Sequence, residues 1–248
     1  MIKAQVQPTK TGAILFDAAQ MSVAEEKWFE RGSESEAAPA DSGGRGRVHF
    51  LDTPFGACVL RHYRRGGLVS FFNKERYLWS GRNRTRAFRE FRLLARLHEA
   101  GLPVPSPLMA RYTRKGLVYQ ADLITRQIPG ALTLAARLAA QRLDAALAVH
   151  VGRTLAAFHA YGLWHADLNA HNLLVDFAGK VWLIDFDRCR MRKPAMNWRQ
   201  SNLDRLLRSF RKLQAAKQFP QFETQFWHPM LAAYHRGLSD HYARGQRA

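Results

Sequence analysis

Between His165 and Asp187 the chain places a polar segment among apolar runs: His165-Ala166-Asp167-Leu168-Asn169-Ala170-His171-Asn172-Leu173-Leu174, then Val181-Trp182-Leu183-Ile184-Asp185-Phe186-Asp187. A long Ala/Leu-rich helical stretch precedes it, and the apolar runs read as two short strands joined by a turn at Ala178-Gly179. The polar segment is therefore a loop held by rigid elements, the setting that positions reactive groups. Transfer of a phosphoryl group needs a carboxylate to orient and deprotonate an acceptor hydroxyl, and oxygen ligands that hold magnesium against the phosphates. Asp167 suits the first role. Asn172 and Asp185, a neutral and an anionic oxygen on neighbouring segments, suit the second. Each piece alone is common, since an H-x-D can be a loop brace and many apolar strands end in Asp-Phe. Order, spacing and strand context together carry the reading.

The rest of the chain supports a two-part organisation. Residues 30–46 are rich in Ser, Gly, Ala and acid and read as a linker, while Leu15-Phe16 and Trp28-Phe29 before it are expected to pack on the body. From Val48 the runs VHFL and ACVLRHY flank DTPFG as a β-hairpin, and a further turn is expected at Gly66-Gly67. Thr85 to Ala100 shows a helical apolar rhythm through Phe88, Phe91, Leu94 and Leu97, stopped by Gly101 and Pro103. VPSPLMARY and KGLVYQADLIT read as strands, residues 133–161 as one helix, and the chain from about Ser201 as helical. Strands dominate the first half and helices the second, an α+β class. The expected division is an N-terminal extension over 1–45, a β-rich lobe over 46–128 and a helical lobe over 129–248.

Two cysteines, Cys58 and Cys189, make neither a disulfide framework nor a zinc site, which fits a reducing compartment. No signal-peptide pattern and no apolar run of about 18 residues is present. The net charge is +18, and residues 1–45 carry a net −2, so residues 46–248 carry +20. Such a surface attracts nucleic acid, anionic lipid or a phosphorylated substrate, and charge alone does not choose among them.

HADLNAHN resembles the kinase catalytic loop H-R-D-L-x-x-x-N, and Ile184-Asp185-Phe186-Asp187 is similar to the Asp-Phe-Gly motif with Asp in place of Gly. With LRHYRRGG, TRAFREFRLL, AGLPVPSP and LIDFDR, the chain from about Gly44 to Phe210 resembles the lipopolysaccharide kinase family. That resemblance implies a bilobal protein-kinase-like fold with a small β-rich N-lobe and a mainly helical C-lobe. It also implies ATP- and Mg2+-dependent phosphorylation of the 4-hydroxyl of 3-deoxy-D-manno-octulosonic acid (Kdo). The acceptor would be a Kdo-lipid A precursor at the cytoplasmic face of a Gram-negative inner membrane, with the enzyme peripheral to it.

On the nucleotide side, Gly44 and Gly46 stand where a kinase glycine-rich loop would lie, and a linker glycine reads nearly as well. Val59, Arg61 and Tyr63 share a strand face; aligning VLR with the kinase V-A-I-K run puts Arg61 at the phosphate-binding lysine position, the plain alternative being a solvent-facing strand arginine. Glu90 is the acid within an arginine-rich helix and is expected to pair with Arg61, the plain alternative being a surface pair with Arg86. Residues 122–130 would supply an adenine hinge by position. His165 is expected to brace the loop rather than act as a base. Asp187 would join the metal site or cap the next turn, and Asp204 would be a helix-start charge or a buried brace.

Arg82, Arg84, Arg86, Arg89 and Arg92 form one cationic cluster, and Arg188, Arg190, Arg192 and Lys193 another. An anionic membrane surface is the expected partner, with no nucleic acid expected because no RNA-binding signature occurs. Trp198, Phe222, Phe226 and Trp227 either dip into that interface or pack in the core. Two other functions remain open: a kinase of the same fold acting on another small molecule or a protein, and a non-catalytic pseudokinase or nucleic-acid-binding module.

Overall fold

The computed structural model describes residues 1–30, 48–63 and 77–245. Gly44 and Gly46, nearly all of the expected linker and the expected Gly66-Gly67 turn lie outside these residues. The chain divides into two compact units, Met1–Gly101 with Pro105–Gln127, and Leu102–Val104 with Ile128–Ala248.

The first unit is an antiparallel sheet with one long helix. Its strands are β1 (Ala4–Pro8), β2 (Gly12–Asp17), β3 (Val48–Thr53), β4 (Gly56–His62), β5 (Tyr77–Leu78), β6 (Pro107–Lys115) and β7 (Val118–Arg126), and its helix is α1 (Arg86–Glu99). The order is β1-β2-β6-β7-β4-β3, with β5 pairing β7. β3 and β4 form the expected hairpin, closed where Thr53 pairs with Gly56 and where Gly56 takes a φ of 97° that favours glycine. β1 and β2 are not foreshadowed by alternation, because β2 is buried continuously from Ala13 to Asp17. Gly12 lets β2 meet β6: a Cβ there would lie 1.9 Å from the Tyr112 carbonyl oxygen. Trp28 and Phe29 join Ile14, Phe16, Leu60 and Ile124 in the core, as expected for that segment. α1 buries Phe88, Phe91, Leu94 and Leu97, each at most 1% exposed, a gain of about 2 kcal/mol per side chain before entropy is charged.

The second unit is mainly helical. Its elements are β8 (Leu132–Thr133), α2 (Leu134–Ala139), α3 (Ala145–Ala160), β9 (Leu163–Trp164), β10 (Leu173–Val175), β11 (Val181–Leu183), β12 (Arg190–Met191), α4 (Met196–Lys212), α5 (Ala215–Gln218), a π-helical segment Phe222–Trp227 and α6 (His228–Gly245). The single helix expected over 133–161 is two. Gln141 turns left-handed at φ 53°, and the Asp144 carboxylate then accepts the Leu147 N–H at 2.7 Å, capping a new helix. α3 and α6 approach closely at Gly152, where a Cβ would lie 2.2 Å from the Met230 carbonyl oxygen. Trp198, Phe222, Phe226 and Trp227 are at most 6% exposed, so these aromatics fill the core. Among the described residues no helix is long and apolar enough to cross a membrane.

Candidate active site

In the second unit the polar loop begins where α3 ends. Gly162, at φ 91°, turns the chain into β9, which pairs with β12 through Trp164 and Arg190. His165 follows and is 1% exposed. Its Nδ1 accepts the Asp167 N–H at 3.3 Å, which leaves Nε2–H to donate to the Ile184 carbonyl at 3.1 Å. Burial pushes its pKa down, against the opposing pull of the Asp185 carboxylate, so the ring is neutral. A neutral ring with both nitrogens engaged is a brace, as the sequence led us to expect, and it joins the polar loop to the segment before Asp185.

The loop then folds around Asn169. Its Oδ1 accepts the N–H groups of His171 at 2.8 Å and Asn172 at 3.2 Å, and its Nδ2 donates to the Asp167 carbonyl at 3.1 Å. Leu168 and Ala170 on either side are fully buried, anchoring the turn and leaving the Asp167 carboxylate exposed. The Asn172 Nδ2 also donates to the Asp167 carbonyl, at 2.9 Å. That bond commits the NH2 face of the amide and leaves Oδ1 as the atom available to a cation. The Ile184 N–H donates to the Asn172 carbonyl at 3.0 Å, so Asn172 and Asp185 are held by directly bonded segments.

Asp185 has φ 62°, a left-handed conformation that costs a non-glycine residue about 1 kcal/mol, least for Asp and Asn. The next residue explains how it is held. Phe186 is 1% exposed, with its ring 5.4 Å from that of His165 and 6.3 Å from that of Phe158. Cys189 closes the turn: its Sγ accepts the Ala166 N–H at 3.3 Å and its own N–H donates to the Phe186 carbonyl at 3.0 Å.

α4 supports the loop from a distance in sequence. Asn202, 1% exposed, accepts the His165 N–H at 3.1 Å and donates to the His165 carbonyl at 2.9 Å. Two helical turns further along α4, Ser209 Oγ accepts the Ala170 N–H at 3.0 Å. The sequence pattern points to Asp204 as the charge or brace here. That residue is exposed in mid-helix and accepts from the Gln200 amide at 2.8 Å, so the brace belongs to Asn202 instead. Sequence reasoning does not find Asn169, Cys189, Asn202 or Ser209; only Asn169, inside the motif, carries a local signal.

In the first unit Arg61 of β4 and Tyr63 just beyond the strand both reach Glu90 of α1. Arg61 Nη2 pairs with Glu90 Oε2, and Tyr63 Oη donates to the same oxygen at 2.5 Å. The Arg61 guanidinium lies 4.7 Å from the centre of the Tyr63 ring. Glu90 is 4% exposed, and of its two expected partners the structure pairs it with Arg61, while Arg86 stacks on Tyr77 at 4.3 Å. The opposite face of β4 carries a pair the sequence did not suggest: His62 Nδ1 lies 2.5 Å from the Asp122 carboxylate, which also accepts from Arg111 at 2.9 Å.

An antiparallel sheet with a glutamate-bearing helix, followed by a helical unit whose H-x-D loop is tied to an Asp-Phe turn, defines a protein-kinase-like fold. Residues 31–234 match the model of the lipopolysaccharide kinase (Kdo/WaaP) family, and the chain belongs to that family. Among curated relatives, the 3-deoxy-D-manno-octulosonic acid kinase of Stenotrophomonas maltophilia (strain R551-3) is 51% identical over 208 residues, 83% of each chain. The protein of the same name from Xylella fastidiosa (strain M23) is 45% identical over 212 residues, 84% of each chain. A solved structure of the bifunctional kinase-methyltransferase WbdD aligns at TM-score 0.43 and 21% identity, over 82% of this chain and 44% of that one.

Proposed function

We propose that the protein transfers the γ-phosphoryl group of ATP to the 4-hydroxyl of Kdo on a Kdo-lipid A precursor, at the cytoplasmic face of the inner membrane. The observation that carries the reading is the loop in which Asn172 and Asn169 both bind the Asp167 carbonyl, leaving the Asp167 carboxylate exposed. The Kdo kinase names of the relatives supply the acceptor.

In this reading Asp167 orients the acceptor hydroxyl and takes its proton as that oxygen bonds to the γ-phosphorus and the β–γ bridge breaks, releasing ADP. Asn172 Oδ1 and the Asp185 carboxylate are the oxygens that would hold Mg2+. One neutral and one anionic oxygen suit an ion that takes its other ligands from phosphates and water. When bound, the ion would neutralise charge on the phosphates. Arg61, fixed by Glu90 and Tyr63, would contact a phosphate oxygen; its planar fork replaces the point charge of a lysine. Gly44 and Gly46 are the candidates for backbone approach to the phosphates.

The test is product analysis after incubation with ATP, Mg2+ and a Kdo-lipid A precursor, beside a generic protein substrate. Phosphate should appear on the sugar alone, and equal or exclusive labelling of the protein sinks the acceptor assignment. Asp167→Ala should lower turnover by at least about a hundredfold while nucleotide binding persists. Asp185→Ala should instead weaken Mg2+-dependent nucleotide binding.

A further inference from the structure

One end of the sheet in the first unit is apolar at its tip and cationic around it. Leu78 is 71% exposed and Leu117 is 78% exposed, among the most exposed large apolar residues described. They adjoin, because the Trp79 N–H donates to the Leu117 carbonyl at 2.9 Å where β5 runs along β7. Leu117 sits at the β6–β7 turn beside Gly116, which takes φ 60°. Two leucines projecting from a tight turn and a strand end gain nothing there for the fold of this unit.

Among the described residues, the two segments that form the tip carry one sign of charge. Residues 77–89 contain four arginines and no acid, and residues 107–121 contain three basic residues and no acid. Arg82, Arg84, Arg114 and Lys115 are exposed, and among the described residues no carboxylate pairs with any of them. Like charges are crowded enough to be felt: burial first, and then the Arg82 charge, push the pKa of Arg92 down. One of these cations is fixed to the tip: the Arg114 guanidinium lies 4.8 Å from the Trp79 ring centre, and that ring packs on Tyr112 at 5.0 Å.

We propose that this tip is where the protein docks on an anionic bilayer, Leu78 and Leu117 entering the headgroup region while Arg82, Arg84, Arg114 and Lys115 meet lipid phosphates. It rests on the reading that the acceptor is held in a membrane, and it names the surface that reaches it. A cationic rim around an apolar tip complements a surface that is anionic outside and apolar beneath. A nucleic acid would use the cations but leave exposed leucines at its contact unexplained, and among the described residues the tip's Trp79 ring is already engaged by Arg114 and Tyr112 rather than open to stack a base.

The test uses the full-length protein and co-sedimentation with vesicles of pure phosphatidylcholine or with phosphatidylglycerol added. Wild type should bind the anionic vesicles far more tightly, and added salt should weaken the binding. Arg114→Gln/Lys115→Gln should weaken it by about thirtyfold, roughly fivefold for each cation. Leu78→Ser/Leu117→Ser should weaken it by at least about tenfold. Both variants alter exposed side chains, so melting temperature and turnover on a water-soluble, delipidated Kdo acceptor should match wild type. Wild-type-like vesicle binding by both variants overturns the proposal, as does equal binding to neutral and anionic vesicles. Displacement of bound vesicles by single-stranded RNA, lost in the same variants, would also overturn it. If wild type fails to phosphorylate any Kdo acceptor, the function reading falls while the vesicle result still decides the docking surface.

Discussion

Asn202→Asp isolates the contact by which α4 holds the loop that carries Asp167. The wild-type amide donates to the His165 carbonyl at 2.9 Å and accepts the His165 N–H at 3.1 Å, so it stands in for a peptide group pairing with one residue of the loop. A carboxylate has the same shape and still accepts, but it offers no donor and sets an oxygen against the His165 carbonyl. Leaving that buried carbonyl unsatisfied costs about 1–3 kcal/mol, and burying an unpaired charge beside it adds to that, for about 2–4 kcal/mol in all. For a chain of this size each kcal/mol moves the melting temperature by about 2–4 °C, so a loss of about 5–15 °C is expected at pH 8. The gap between variant and wild type should narrow as the pH falls toward about 5, because the introduced carboxyl, once protonated, regains a donor. Differential scanning calorimetry of both proteins at the two pH values measures this. A variant that melts within about 2 °C of wild type at pH 8 would refute the argument that this amide carries the loop.

Tyr63→Phe removes the hydroxyl that donates to Glu90 at 2.5 Å, leaving Arg61 to hold the carboxylate with less help. A loss of about 1–2 kcal/mol by chemical denaturation is expected, with a raised KM for ATP, and an unchanged KM would separate Arg61 from the nucleotide. His159 is 2% exposed against Tyr234 and Trp198, and burial lowers its pKa from 6.5 to about 3. The unfolded chain takes up a proton there that the folded chain refuses, so the contribution is whole above about pH 6.5 and is lost as pH falls toward 3. Denaturant unfolding at pH 7 and pH 5 should therefore differ by about 2 kcal/mol from this group. His159→Gln, which keeps a partner for the Tyr234 hydroxyl, should remove most of that difference.

What the sequence disclosed and what it hid follow from how far apart interacting groups lie along the chain. Asp167, Asn169 and Asn172 build their turn from bonds spanning two to five residues, so spacing alone carries the signal. The helix from Arg86 to Glu99 was legible for the same reason, since one buried face imposes a short period. Arg61 and Glu90 could be paired only through the likeness to kinases, being 29 residues apart. Asn202 had no such guide. It is 37 residues from His165, polar among polar neighbours, and its register is set by how α4 seats Leu203, Leu206 and Phe210 in the core. A charged residue two positions away attracted the assignment, yet two positions on a helix turn a side chain through about 200°, from the buried face to solvent. β2 was hidden by the converse effect, because burial on both faces erases the alternation that marks a strand.

The same reasoning explains why His165 is buried and uncharged beside carboxylates that would favour its protonation. A charged ring would need both nitrogens as donors, yet Nδ1 must accept the Asp167 N–H for the loop to close. Protonation would therefore break the bond that positions the residue assigned as base, at the same time as it charged a buried site. Neutral His165, Asn202 with its paired amide, and Phe186 wedged against the ring form one packed unit beneath Asp167 and Asp185. In the proposed mechanism the exposed carboxylate of Asp167 can therefore exchange a proton with the acceptor without any group that supports it having to change protonation state.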